Sequence, residues 1–446
     1  MQAMNAAMNA PLHPGKHAAG IPATPPAAGG PGPDATRLAA FSLLVAVLDR
    51  REPLSDALDR LAPMPARDRA AGHRLAAAVL RRLGSLDAVL EPYLRREPPP
   101  AVRHILRLGA AGLLLLDAAP HAAVATAVEL ARAQKLEPFC PLVNAVLRRV
   151  AGAGPAALAS LDAPRLDTPS WMWASWGGDA RVIAEAHLAA TGGAPLDLTL
   201  RPGATPPEGG MALPTGSWRF PPGTDPETLA GFAEGAFWVQ DAAAALPAFL
   251  LAPRPGELVA DLCAAPGGKT AQLAACGAAV TAVEREPARL PRLRENLARL
   301  GLSAEIVAAD AETWRPPAPL TAALLDAPCS ATGTIRRHPE VLRLRRPRDV
   351  AALAAVQNRL LEAASAMLAP GGRLLYSVCS LEPEEGPARI ARALARLPLR
   401  HEPFTADELA ALPEARTAEG FLRTHPGLWP ERGGMDGFFA ARLVRN

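Results

Sequence analysis

Between residues 258 and 379 the sequence repeats one device: a short apolar run closed by a carboxylate or a thiol, then a turn or an amphipathic helix. The runs at 258–262, 279–283, 306–308, 322–325 and 374–378 are too short for helices and read as buried strands. Within 287–300, Leu290, Leu293, Leu297 and Leu300 recur at helical spacing. A further helix is expected over about 350–368 and a last strand over 438–444. Strands alternating with helices in this order predict a doubly wound parallel α/β sheet, Rossmann-like in type.

Such sheets bind ligands outside the carboxyl ends of their strands. Asp261, Glu284, Asp310, Asp326 and Cys379 fall at or near those ends, so residues far apart in sequence are expected to line one crevice. The first strand runs into Cys263-Ala264-Ala265-Pro266-Gly267-Gly268-Lys269. Its two glycines let the backbone approach a ligand closely, and the helix behind offers free N–H groups. The loop is neither a G-x-G-x-x-G fingerprint nor a Walker P-loop. Glu284 stands about 20 residues further on, the spacing at which a carboxylate reaches ribose hydroxyls. On this spacing alone a nicotinamide cofactor or S-adenosylmethionine would fit.

Two strand ends carry thiols, in Asp326-Ala327-Pro328-Cys329-Ser330 and Tyr376-Ser377-Val378-Cys379-Ser380. Paired thiols suit methylation of a cytosine ring at carbon 5, which is a poor nucleophile until a thiolate adds at carbon 6. A carboxyl near the ring N3 assists that addition. Free cysteine is more often a small buried hydrophobe, the reading given to Cys140 and Cys276; Cys263 is given a backbone role in the loop. Five scattered cysteines without a CxxC pair argue against a disulfide framework and a structural zinc site, and no metal is expected. The stretch Arg336-Arg337-His338-Pro339-Glu340, with Arg343, Arg345, Arg346 and Arg348, reads either as a phosphate-holding surface or as a solvated basic face. A formal charge of +3 over 446 residues does not by itself identify a nucleic-acid binder. Lysine is rare in an arginine-rich chain, which singles out Lys269 inside the loop.

Residues 1–34, mostly Ala, Pro, Gly and Asn, read as a disordered tail. Over 35–152 apolar residues recur at helical spacing, as in Leu43, Leu44 and Val47, then Leu75 and Val79, then Val102, Ile105 and Leu106, then Leu142, Val146 and Val150. An all-α bundle is expected there. Residues 153–236, rich in Gly, Pro and Trp, with one alternating stretch at 196–200, read as a small α+β subdomain; the sheet domain occupies 237–446. The N-terminus lacks a secretory apolar core and the most apolar run, near 113–116, is too short to span a bilayer. A cytoplasmic protein with no membrane partner is expected.

With these motifs in place the sequence resembles the NOL1/NOP2/Sun family of RNA cytosine-5 methyltransferases. The resemblance rests on residues 261–270 (DLCAAPGGKT), 326–334 (DAPCSATGT) and 376–385 (YSVCSLEPEE), flanked by Trp238-Val239-Gln240-Asp241 and Asp436-Gly437-Phe438-Phe439. The helical segment is similar to the NusB RNA-binding fold through residues 105–110, 121–124 and 143–148, which points to the branch acting on small-subunit ribosomal RNA. The resemblance implies a class I methyltransferase domain and S-adenosylmethionine as cofactor. It assigns Cys263, Ala264, Ala265, Pro266, Gly267, Gly268, Lys269, Glu284 and Asp310 to the cofactor, and Asp326 to cofactor or cytosine. Cys379 is implied as nucleophile and Cys329 as the group promoting release of the methylated base. The partner implied is RNA, contacted largely by the helical domain, and a monomer is expected. Val378 in place of Thr, Gly386 in place of Asn, Glu284 in place of Asp and Gly203 in place of Asn depart from the family pattern without removing a reacting group. The competing readings are a transfer RNA substrate, a catalytically idle RNA-binding assembly factor and a nicotinamide oxidoreductase. The thiols count against the second and the missing fingerprint against the third.

Overall fold

A computed structural model describes residues 34–446. The tail expected over 1–34 lies outside the described residues except for Asp34, whose carboxylate accepts the Thr36 N–H at 3.0 Å and caps the first helix. The chain divides into two compact units at Leu161/Asp162.

The first unit is helical: α1 (Ala35–Leu44), α2 (Leu54–Asp59), α3 (Ala66–Arg81), α4 (Leu83–Leu90), α5 (Pro100–Leu115), α6 (Pro120–Ala133), α7 (Cys140–Ala153) and the single turn α8 (Ala156–Ala159). Proline opens α5 and α6, where the missing N–H has no intrahelical partner to lose. The apolar stripes face inward, with Leu43, Leu44, Val79, Ile105, Leu106, Leu147 and Val150 buried. Each such side chain contributes about 1.5–3 kcal/mol, so packing rather than helix propensity holds the bundle. Polar groups carried under with them are paired. Arg107 grips Asp87 at 2.8 and 2.7 Å, Arg103 reaches Glu97 at 2.9 Å, and His104 meets Asp49 at 3.1 Å.

The second unit opens with α9 (Ala163–Asp167), α10 (Ser170–Trp176) and α11 (Ala180–Ala189). A four-stranded antiparallel sheet follows, from β1 (Leu196–Leu200), β2 (Met211–Ala212), β3 (Trp218–Phe220) and β4 (Phe237–Val239), in the order β2-β3-β1-β4. Only β1 is long enough to show alternation in sequence. Asp197 on β1 and Arg219 on β3 form a buried bidentate pair at 2.6 and 2.7 Å. Arg219 also donates to the carbonyls of Arg432 and Gly434, and Asp197 accepts the N–H of Ala242. These bonds tie residues 162–236 to the larger sheet, and the two pack as one unit.

The larger sheet follows α12 (Ala242–Leu251). It contains β5 (Leu258–Leu262), α13 (Gly268–Ala275), β6 (Ala279–Glu284), α14 (Leu290–Leu300), β7 (Glu305–Ala308) and β8 (Leu320–Asp326). Then come α15 (Val341–Leu344), α16 (Pro347–Met367), β9 (Leu368–Val378), α17 (Pro387–Arg396), β10 (Leu399–His401), β11 (Leu422–Arg423) and β12 (Phe439–Arg445). The order is β10-β12-β9-β8-β5-β6-β7, with β11 beside β12. Strands β5 to β9 are parallel to one another, but β12 runs antiparallel to its neighbours β9 and β10. The sheet is therefore mixed, not wholly parallel as the sequence suggests. Strand β12 follows β10 through residues 402–438 and pairs with it antiparallel, a connection that needs no crossover helix. The central strands read as continuous apolar runs because both faces are covered, with Ala260, Leu262, Leu324, Leu325, Leu374 and Leu375 all buried. The chain builds β6 and β7 on one side of β5, then β8 and β9 on the other, so the topological switch lies between β5 and β8. Among the described residues no helix is long and apolar enough to cross a membrane.

Candidate active site

At the switch point β5 ends in the loop 263–269. Gly267 takes φ +104°, and a Cβ there would sit 2.4 Å from Cδ1 of Leu293, so only glycine fits this turn. As the N-cap of α13 it supplies no side chain, leaving first-turn N–H groups open to a ligand. Buried Glu284, at the end of β6, accepts the N–H of Ala265 at 3.1 Å and of Glu286 at 2.9 Å. The carboxylate thereby shapes the loop and keeps spare lone pairs. Asp310, beyond β7, accepts the Glu312 N–H at 2.9 Å and is partly open to solvent. Cys263 sits at φ +67° with its N–H on the Val283 carbonyl at 2.9 Å. Burial, then Glu284 and Asp326, push its thiol well above the ordinary range, so it stays protonated.

Asp261 is buried; its Oδ2 accepts the Thr270 hydroxyl at 2.6 Å and its Oδ1 has no partner among the described residues. Burial, with Asp326 and Glu284 adding, pushes its carboxyl up to about 7. A folded value above the unfolded one means the folded chain holds this proton more tightly. The stabilisation is full below about pH 4 and is lost as pH rises towards 7. Asp261→Asn is expected to remove that decline, a slope of at most about 1.4 kcal/mol per pH unit, in urea unfolding compared near pH 5 and near pH 8. An unchanged slope would rule out Asp261 as its source.

The thiols of Cys329 and Cys379 meet, Sγ to Sγ, at 3.4 Å. The bond to Cys379, then burial, then the charges of Cys379 and Glu385 hold the Cys329 thiol well above its ordinary range. Either sulfur can donate across this contact. Two cations act on Cys379. The Lys269 ammonium lies 2.7 Å from Asp326 Oδ2 and 5.1 Å from the Phe438 ring. Burial opposes its charge, but Asp326 and then Cys379 hold it charged. The Arg337 guanidinium is gripped by buried Asp436 through Nε at 2.8 Å and through Nη2. It too stays charged against burial, through Asp436, Asp241 and Cys379. Glu385 is thus among the groups that raise the Cys329 thiol, while Cys379 is among the groups that hold Lys269 and Arg337 charged. Asp326 completes the group, accepting the Ser377 hydroxyl on Oδ1 at 3.0 Å.

Several side chains fall elsewhere than expected. Cys276 is exposed rather than buried, because it caps the end of α13 where the chain turns at Gly277; Cys140 is half-buried. The basic stretch is neither a phosphate surface nor a solvated face throughout. Arg336 is fully buried against Asp241 at 2.6 Å, Arg343 holds the Asp167 carbonyl at 2.8 Å, and Arg345 holds the Ser330 carbonyl at 2.8 Å. Arg337 and Arg348 keep exposed surface. Asp241, Asp436, Glu382 and Glu385 were not anticipated as site-building groups, although all four lie in quoted motifs; acidic residues inside such apolar stretches were the available signal. Gly333 donates to the Cys379 carbonyl at 3.0 Å and accepts the Gly437 N–H at 2.8 Å, and a Cβ on it would lie 2.0 Å from Gly437 O. Three segments thus close in behind Cys379. Among the described residues no three His, Cys, Asp or Glu side chains are grouped to hold a metal ion.

The donor set fits S-adenosylmethionine. Carboxylates at the ends of three neighbouring strands suit its ribose hydroxyls and cationic groups, and the open N–H groups of α13 suit its carboxylate.

The family model described as 16S rRNA methyltransferase RsmB/F matches residues 248–444, and the NusB family model matches 34–152. A ribosomal RNA small subunit methyltransferase B from Sodalis glossinidius is 36% identical over 450 residues, covering 92% of this chain and 97% of that protein. Its counterpart from Thermus thermophilus is 39% identical over 425 residues, covering 91% and 97%. The crystal structure of PH0851 shares the fold with a TM-score of 0.73 at 23% identity, over 93% of this chain and 99% of that one.

Proposed function

This chain belongs to the RsmB/F family of S-adenosylmethionine-dependent 16S rRNA methyltransferases, and from that premise we propose that it methylates carbon 5 of a cytosine through a covalent adduct with Cys379. The observation that carries the reading is the 3.4 Å approach of the Cys329 and Cys379 thiols at the ends of two neighbouring parallel strands. When bound, S-adenosylmethionine supplies an electrophilic methyl group and is held by Cys263, Ala264, Ala265, Pro266, Gly267, Gly268, Lys269, Glu284 and Asp310.

Cys379 adds as thiolate to carbon 6; the S–C bond forms and the ring π pair moves towards carbon 5, which becomes nucleophilic. Asp326 accepts from the cytosine amine and so orients the ring for the addition. Once its sulfur is a thioether, Cys379 no longer raises the Cys329 thiol, and Cys329 releases its proton to solvent. Cys329 then takes the proton from methylated carbon 5, the double bond re-forms, the C6–S bond breaks and Cys379 leaves as thiolate. One proton is released per turnover and the resting pair is restored. The helical unit supplies much of the RNA contact, which weakens as salt rises.

The test uses unmodified 16S rRNA and S-adenosylmethionine with the wild type, Cys329→Ala and Cys379→Ala on denaturing gels. Cys329→Ala is expected to accumulate a protein–RNA adduct and Cys379→Ala none. An adduct from Cys379→Ala would reverse the two roles; no adduct from either would remove the covalent mechanism on this RNA.

A further inference from the structure

Behind the thiols lies a carboxylate that the steps above do not use. Glu385 is fully buried. It accepts the Ser330 N–H at 2.9 Å, the Ser330 hydroxyl, the Ser380 hydroxyl at 2.5 Å and Nε2 of Gln357 at 3.1 Å. Ser330 directly follows Cys329, and Ser380 directly follows Cys379. The two serine hydroxyls also meet each other at 3.1 Å. Ser380 further accepts the Glu382 N–H, while Thr332 accepts the Leu381 N–H, both at 3.0 Å. One side chain therefore ties the loop after β8 to the loop after β9.

We propose that Glu385 is a positioning residue: bonded to the residue that follows each thiol, it holds the two thiol-bearing loops in register and sets its carboxyl against the loop of Cys329, so that Cys379 is presented for attack. The proposal rests on the covalent reading above. Its hydrogen-bond donors are neutral, and among the described residues Glu385 makes no ion pair. A buried carboxylate without a cation is costly. The tie brings the Glu385 carboxyl to the N–H and hydroxyl of the residue directly after Cys329, which gives it an electrostatic route to that thiol as well. The Glu385 charge is among the causes that raise the Cys329 thiol, after the Cys379 bond, burial and the Cys379 charge. Other charged or titratable groups around the pair are Lys269, Asp261, Asp326, Arg337, Arg345, Tyr376 and Glu382. Lys269 and Arg337 are each held charged in part by Cys379.

Two variants separate the tie from the charge. Glu385→Gln keeps shape and loses charge; Ser380→Ala keeps charge and loses one arm. Both are made in the full-length protein and treated with iodoacetamide across a pH series, with each cysteine followed by peptide mass spectrometry. In Glu385→Gln, Cys329 is expected to alkylate about tenfold faster at fixed neutral pH, its profile moving to lower pH. Turnover on 16S rRNA falls about 100-fold with the KM for RNA unchanged. In Ser380→Ala, kcat falls while the Cys329 profile stays in place. A folded, cofactor-binding Glu385→Gln with an unmoved Cys329 profile overturns the electrostatic role. Wild-type kcat in both variants overturns the positioning role. Should Glu385→Gln not fold, Ser330→Ala and Ser380→Ala decide: a lowered kcat at unchanged KM supports the tie, and wild-type kcat overturns it. Alkylation needs neither RNA nor turnover, so failure of the adduct experiment is seen separately.

Discussion

Cys379→Ala is expected to bind S-adenosylmethionine as the wild type does and to lose methyl transfer by about 10⁴-fold or more, because no step before nucleophilic addition activates carbon 5. The neighbouring thiol lies only 3.4 Å away, so substitution by Cys329 has to be considered. Removing Cys379 removes the leading cause of the raised Cys329 thiol and makes that group more acidic. Its own loop is held through Ser330 to Glu385 and Arg345, bonds that the substitution leaves in place, so the Cys329 sulfur is not freed to move into the site of Cys379. The double variant Cys329→Ala/Cys379→Ala should therefore match Cys379→Ala. Single-turnover transfer of a labelled methyl group to unmodified 16S rRNA is the measurement. A residual rate within about tenfold of wild type would mean that Cys379 is not the nucleophile.

Arg336→Ala carries the largest expected loss of stability, about 3–5 kcal/mol, because it strands buried acids. Arg336 is fully buried, 2.6 Å from Asp241 and 3.6 Å from Asp436, and donates to the Gly433 carbonyl at 2.8 Å. At Asp241 burial works to raise the carboxyl, but Arg336 and then Arg337 bring it below its ordinary value. A depressed folded value gives stability that is present above the unfolded value and lost as pH falls through the folded one. With Arg336 gone, burial prevails at Asp241 and the carboxyl prefers its proton. The variant should thus be most destabilised near neutrality and less so in acid, reversing the local pH trend. Urea unfolding at both pH values reads this directly; a neutral-pH loss under about 1 kcal/mol would show that the acids find other partners.

What the sequence reveals of this chain follows the length of its elements. Strands β5, β6, β8 and β9 are buried on both faces, so their apolar runs stand out, and each is closed by the group that serves the crevice. The helices of the first unit are long enough to show their period several times. Strands β2, β3 and β4 span two or three residues, and no periodicity survives at that length. The antiparallel direction of β12 was also hidden, since an apolar run has no direction until its connection is known. At the site, Cys379, Cys329, Asp326 and the glycine loop are legible because strand ends concentrate chemistry. The bonds from Lys269 to Asp326, Arg337 to Asp436 and Glu385 to both serine hydroxyls join residues 57, 99 and up to 55 positions apart. No local pattern reports such separations; only the folded sheet brings them together.

The direct return into β12 also fixes when the site can exist during synthesis. The cofactor loop, Asp326 and both thiols are translated well before Asp436 and Gly437, yet Asp436 grips Arg337 and Gly437 backs the segment behind Cys379. Strand β12 fills the place between β9 and β10, so a nascent chain stopped short of residue 436 leaves β9 as an open edge. Chains fold from the N-terminus as they are made, and the helical unit is complete long before that point. A ribosome making this protein therefore releases the helical unit first and a matched thiol pair only once residues 436–445 have emerged.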